Sequence, residues 1–175
     1  MRASLLAALV FAVAVSGCGN SGTSASNQAA ERVIEQAAQQ QGIEADVQIT
    51  DEGASFSMNA SSERGAETIQ SGENLPLPEN LPKDIPLPDA LKVTMINTAA
   101  TNEVFNIQAT NTLSVDELVQ FYKTQAPARG WKEVSASAPA GVMASLEYEK
   151  EDRVLRVIVN NGNGWSMLTL NTERK

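Results

Sequence analysis

The spacing of apolar positions changes character along the chain. Ala30, Val33, Ile34, Ala37, Ala38 and Gln41 recur at i, i+3, i+4, i+7, i+8 and i+11. That is one face of a helix, predicted over 28–41, with Asn27 or Ser26 as its cap and Gly42 just past its end. The stripe is rich in Ala, so it predicts a thin contact. Alternation takes over afterwards: Val47 and Ile49 share one side, then Phe56, Met58 and Ala60 share another, with turn residues Asp51-Glu52-Gly53 between. Ser62–Gly65 offers a further turn, and a third strand is expected over 66–70.

Five of the seven prolines fall in 72–90, at Pro76, Pro78, Pro82, Pro86 and Pro88. Proline removes an amide donor and fixes φ, so neither helix nor central strand runs through this stretch. It reads as an extended connector, and its Leu75, Leu77, Leu81, Ile85 and Leu87 predict that it lies against a folded surface. From Leu91 the pattern strengthens. Strands are expected over 93–96 and 104–110. Leu113-Ser114-x-x-Glu117-Leu118 then spells a capping box with a hydrophobic staple. The helix that follows carries Val115, Leu118, Val119, Tyr122 and Ala126 on one stripe, is disturbed by Pro127 and ends at Gly130. Three antiparallel strands follow, over 143–150, 154–160 and 165–171, while 131–137 reads as strand or loop.

The expected fold is α+β. A small acidic αββ(β) unit over 28–71 precedes the Pro-rich connector (72–90) and a ββαβββ domain (91–175) with one helix on an antiparallel sheet. Charge divides along the same lines. Residues 28–90 hold 12 acids and 3 bases, and residues 91–175 hold 9 of each, within a net charge of −8. The acidic balance argues against a nucleic-acid partner.

The first residues stand apart. Arg2 precedes an unbroken apolar run of 11 residues, Leu5–Val15. A helix of that length spans about 16 Å against roughly 30 Å of hydrocarbon, which fits a signal peptide and not a membrane span. The run ends in Val15-Ser16-Gly17-Cys18, which resembles the lipobox of bacterial lipoprotein precursors. The resemblance implies removal of residues 1–17 and lipidation of Cys18; Gly19–Asn27, with no charge and no apolar residue larger than Ala, then reads as a tether, so that 18–27 is the lipidated cysteine and its tether. It also implies a cell-envelope location on a membrane, with Gly19 after the cysteine leaning toward an outer membrane facing the periplasm. Further on, Phe121-Tyr122-x₇-Gly130-Trp131 after a Pro-rich lead and two strands resembles a group of uncharacterised bacterial envelope lipoproteins. That resemblance implies a shared fold and location and carries no activity.

Chemistry is sparse. There is no His, and Cys18 is the lone cysteine. This excludes imidazole bases, Ser-His-Asp triads, His-based zinc sites and internal disulfides. No Gly-rich nucleotide loop occurs, and no cofactor or metal site is expected. Glu147, Glu149, Glu151 and Asp152 have the side chains of a carboxylate hydrolase, but Glu147 and Glu149 alternate with Leu146 and Tyr148, which places them on a solvated strand face. The reading is a non-catalytic binding or interaction module, with an envelope protein as candidate partner. A small-ligand carrier with a helix–sheet pocket is the alternative, and a carboxylate hydrolase a distant third. Phe121, Trp131 and Trp165 are the candidate contact residues.

Overall fold

The computed structural model describes residues 23–50, 55–62, 65–99, 104–139 and 141–175. The lipobox and Cys18 lie outside the described residues. Helix α1 (Thr23–Gln39) leads into strands β1 (Glu44–Ile49), β2 (Phe56–Ser62) and β3 (Gly65–Ser71). The Pro-rich connector follows, then β4 (Lys92–Ala99), β5 (Phe105–Asn111), α2 (Val115–Ala128), β6 (Lys132–Ser137), β7 (Met143–Lys150), β8 (Arg153–Asn161) and β9 (Ser166–Arg174).

The expected αββ(β) unit followed by a ββαβββ domain with its own sheet is not what forms. All nine strands join one antiparallel sheet in the order β1-β2-β3-β4-β5-β9-β8-β7-β6. The first three strands continue the second group because β3 pairs directly with β4, Glu67 opposite Ala99 through Ser71 opposite Met95. A β4 edge would otherwise leave a row of backbone groups unpaired. The expected ββαβββ order also lacks a strand. Residues 132–137 are exposed throughout yet pair with β7, so four strands follow α2, and the described residues form two helices. Exposure left β6 undecided in the sequence, because a strand buried on neither face has no core-facing side to mark it.

The ladder registers show that the two halves turn their apolar sides in opposite directions. One row of directly opposed residues runs Gln48, Ser57, Gln70, Ile96, Ile107, Leu170, Val157 and Leu146 from β1 to β7. The adjacent row, on the other face, runs Val47, Met58, Ile69, Asn97, Asn106, Asn171, Arg156 and Glu147. Polarity therefore switches at the β3/β4 seam. The main core lies on the face carrying Ile96, Ile107 and Leu170 and is closed by α2 and by Leu81 and Ile85 of the connector.

Helix α2 follows its sequence closely. Val115, Leu118, Val119, Tyr122 and Ala126 are its buried residues, and the capping box is present, with the Ser114 hydroxyl accepting from the Glu117 N–H and the Glu117 carboxylate accepting from the Ser114 N–H. The helix ends in a Schellman motif. The Trp131 N–H reaches the Ala126 carbonyl at 3.0 Å, the Gly130 N–H reaches that of Pro127 at 2.9 Å, and Gly130 supplies the left-handed φ of 84°.

Helix α1 differs from expectation. It begins at Thr23, within the stretch read as tether, and it guards the β1 edge. Glu31 accepts the Ile49 N–H at 2.7 Å and Glu35 accepts the Val47 N–H at 3.3 Å. Carboxylates one helical turn apart, about 6 Å along the axis, match strand amides two residues apart, roughly 6.6 Å. The side of α1 facing β1 thus centres on Glu31, Glu35 and Ile34. Val33 points about 160° away from Glu31 and is 63% exposed.

Candidate functional site

The three candidate aromatics do not converge. Trp131 is 2% exposed; its ring belongs to the core and is closed to a partner. Phe121 is half-buried, packs against the core and meets Tyr122 edge-to-face at a centroid distance of 5.2 Å. Trp165, in the β8–β9 turn, is 45% exposed.

Trp131 instead belongs to a lock that holds the connector. Its indole Nε1–H donates to the Asp84 carbonyl at 2.9 Å. The Asp84 carboxylate receives Lys150 Nζ at 2.7 Å and the Arg153 guanidinium bidentately. Lys150 also donates to the Arg129 carbonyl at 2.8 Å, and Arg153 stands 5.1 Å from the Trp131 ring centroid. The Arg153 hydrogen bonds dominate the environment of Asp84 and, helped by Lys150 against the opposing effect of burial, hold its carboxyl down to about 2. Lys150 and Arg153 both spend their charge on this carboxylate, so the arrangement is a clasp.

Three further acids of the C-terminal half are committed similarly. Glu147 and Glu173 both pair with Arg156, and Glu149 pairs with Lys175 at 2.6 Å. The Tyr122 and Tyr148 hydroxyls are buried without a hydrogen-bond partner. Burial pushes the Tyr122 phenol far above its ordinary value; burial first, then the charge of Glu133, pushes Tyr148 up to about 12.

Trp165 borders a cavity of about 330 Å³ at the start of α2, lined also by Ser114, Asp116, Glu117, Asn161 and Ser166. Hydrogen bonds fix its walls. Ser166 Oγ donates to the Leu113 carbonyl at 2.7 Å and ties β9 to the loop before α2. Asn161 Nδ2 donates to the Gly141 carbonyl at 2.9 Å, while its Oδ1 accepts the Asn163 N–H at 3.0 Å. Gly162 seats the indole: an added Cβ would stand 2.5 Å from Trp165 Cε2 and 2.6 Å from Cδ2, well inside van der Waals contact. The Gly162 N–H donates to the Trp165 carbonyl at 2.8 Å and closes the turn. Glu117 is spent on the cap, and its carboxyl is held below its usual value chiefly by the Ser114 N–H and then by the Ser114 hydroxyl. Asp116 forms no ion pair or hydrogen bond with the described residues.

The sequence pointed to Trp165 and missed the rest of this wall. Asn160-Asn161-Gly162-Asn163-Gly164 reads as a turn, and nothing local tells that Gly162 is required by an indole lying over it. Compared with protein-family models, curated proteins and solved structures, the chain matches none. No helix among the described residues is long and apolar enough to cross a membrane.

Proposed function

We propose that this protein is a cell-envelope lipoprotein, held on a membrane by lipid on Cys18, whose folded part is a binding module without catalysis. The observation that carries the anchor is the apolar run Leu5–Val15 closing on Val15-Ser16-Gly17-Cys18. Acyl chains contribute about 0.8 kcal/mol per buried CH₂, so two or three of them hold a protein on a bilayer without a spanning helix. The Phe121-Tyr122-x₇-Gly130-Trp131 resemblance favours the same compartment. A binding role is supported by the preformed cavity beside Trp165 and by the engagement of Asp84, Glu147, Glu149 and Glu173 in ion pairs, which leaves those carboxylates ill-placed for acid–base work. An envelope protein is the proposed partner class, and the outer membrane facing the periplasm the proposed location.

The test is fractionation. Cys18→Ser is expected to move the exported protein from the membrane to the soluble fraction. A variant that stays membrane-bound through high-salt and carbonate washes overturns the lipid anchor.

A further inference from the structure

We infer that the cavity between Trp165 and the first turn of α2 is a recognition site for an organic cation, an alkylammonium group seated on the indole face and countered by Asp116. The inference deepens the binding-module reading and rests on it. The geometry of the turn and the charge of the lining lead to it. The indole is 45% exposed, although Gly162 lies so close beneath it that no Cβ fits. An aromatic ring that is held in place but left open on one side is a preorganised surface. The cavity, at about 330 Å³, falls in the size range of small-molecule sites.

Its charge decides the ligand class. Among the described residues, two carboxylates, Asp116 and Glu117, line it together with neutral side chains and no Lys or Arg. A helix N-terminus by itself attracts anions, with an effective charge of about +0.5; two carboxylates on that same turn outweigh it and reverse the sign. Glu117 is tied to Ser114, whereas Asp116 keeps its carboxylate unengaged by the described residues. A tryptophan face beside an unpaired carboxylate attracts a cation through the ring quadrupole and through direct charge.

The source of the ammonium group can be a free amine or a lysine side chain of a partner, and two probes separate these. The full chain, labelled with ¹⁵N, is titrated with tetramethylammonium chloride and, separately, with N-acetyl-lysine methylamide, each against sodium chloride at matched ionic strength. The two tryptophans give two indole N–H signals. Trp165 reports on the cavity, and Trp131, bonded to the Asp84 carbonyl, serves as the internal control of folding. The expected result is a saturating shift of the Trp165 signal in the millimolar range with Trp131 unmoved. Tighter binding of the quaternary probe points to a free cation, and tighter binding of the lysine probe to a peptide. Asp116→Asn and Gly162→Ala, the latter displacing the indole, are each expected to weaken binding by about two- to fivefold, and Trp165→Ala, followed through the backbone amide signals of Asp116 and Glu117, to abolish it.

A shift that grows linearly or is reproduced by sodium overturns the proposal. So does a saturating shift that Asp116→Asn leaves unchanged, or one produced by maltose and not by the ammonium probes. Should Trp165→Ala and Asp116→Asn chains still capture an envelope partner at the level of the unaltered chain, the cation site falls while the binding module stands.

Discussion

Two neighbouring aromatics on α2 have opposite surroundings. Tyr122 sits at the centre of the buried stripe and is fully enclosed, whereas Phe121 lies on its flank and keeps part of its ring in solvent. Tyr122→Ala is expected to cost about 3–5 kcal/mol, the range for a large ring removed from a core. Phe121→Ala is expected to cost about 2 kcal/mol, because only part of its area leaves water. Urea unfolding of the two variants ranks them, and equal losses would contradict the flank position. Tyr122→Phe runs the other way. The Tyr122 hydroxyl is buried without a partner, and such a group costs about 1–3 kcal/mol relative to a satisfied one. Its removal is expected to leave stability unchanged or raise it by up to about 1 kcal/mol, seen as an equal or higher melting temperature.

Among the elements, the Pro-rich connector makes the clearest case. Prolines stop it from forming its own ladder, so it is held by Leu81 and Ile85 in the core and by the Asp84 clasp. The carboxyl of Asp84 is lowered from 3.8 to about 2. A lowered acid stabilises the fold above its unfolded value, and that stabilisation is lost as pH falls through the folded value. The window is therefore pH 4 down to pH 2, and the contribution at neutral pH is about 2 kcal/mol. Asp84→Asn is expected to lose stability of that size at pH 7 and to show a shallower decline than the unaltered chain between pH 4 and 2. Chemical unfolding at pH 7, 4 and 2 checks both. Parallel curves for the two chains would place the acid sensitivity elsewhere.

The whole sheet depends on the β3/β4 seam. Among buried apolar residues of the described chain before the connector only Val47 appears, while the main core draws on Leu81 and residues beyond it. A chain of residues 28–71 is therefore expected to show no cooperative transition. A chain of residues 72–175 is expected to melt cooperatively, but Met95–Ala99 would lose the partners that Glu67–Ser71 provide. A bare β4 edge templates further pairing, so that fragment is expected to associate with rising concentration in sedimentation, unlike the full chain. A monodisperse 72–175 monomer, or a cooperative 28–71, would contradict this account of the seam.

What the residues announce by themselves is whatever depends on near neighbours. The capping box at Ser114 and Glu117, the buried stripe of α2, the left-handed Gly130 and the alternation of β5, β8 and β9 were legible, because each rests on positions within a few residues of one another. Of the site, Trp165 was legible as a candidate by type alone. Pairings between distant segments decided the rest. The merging of two expected units into one sheet needs β3 to meet β4 across the connector, and the clasp needs Asp84 to meet Lys150 and Arg153 some 66 and 69 positions later. Strand β6 stayed undecided between strand and loop because its exposed residues announce no core-facing side, and the β1 edge guard escaped notice because Glu31 and Glu35 look like solvated charges until amides face them. The cavity exists only where the β8–β9 turn meets the start of α2, held by Ser166 on the Leu113 carbonyl. Local chemistry fixes caps, turns and faces through short-range sterics and hydrogen bonding; which edges pair and which side chains close a cavity depends on where the whole chain places them.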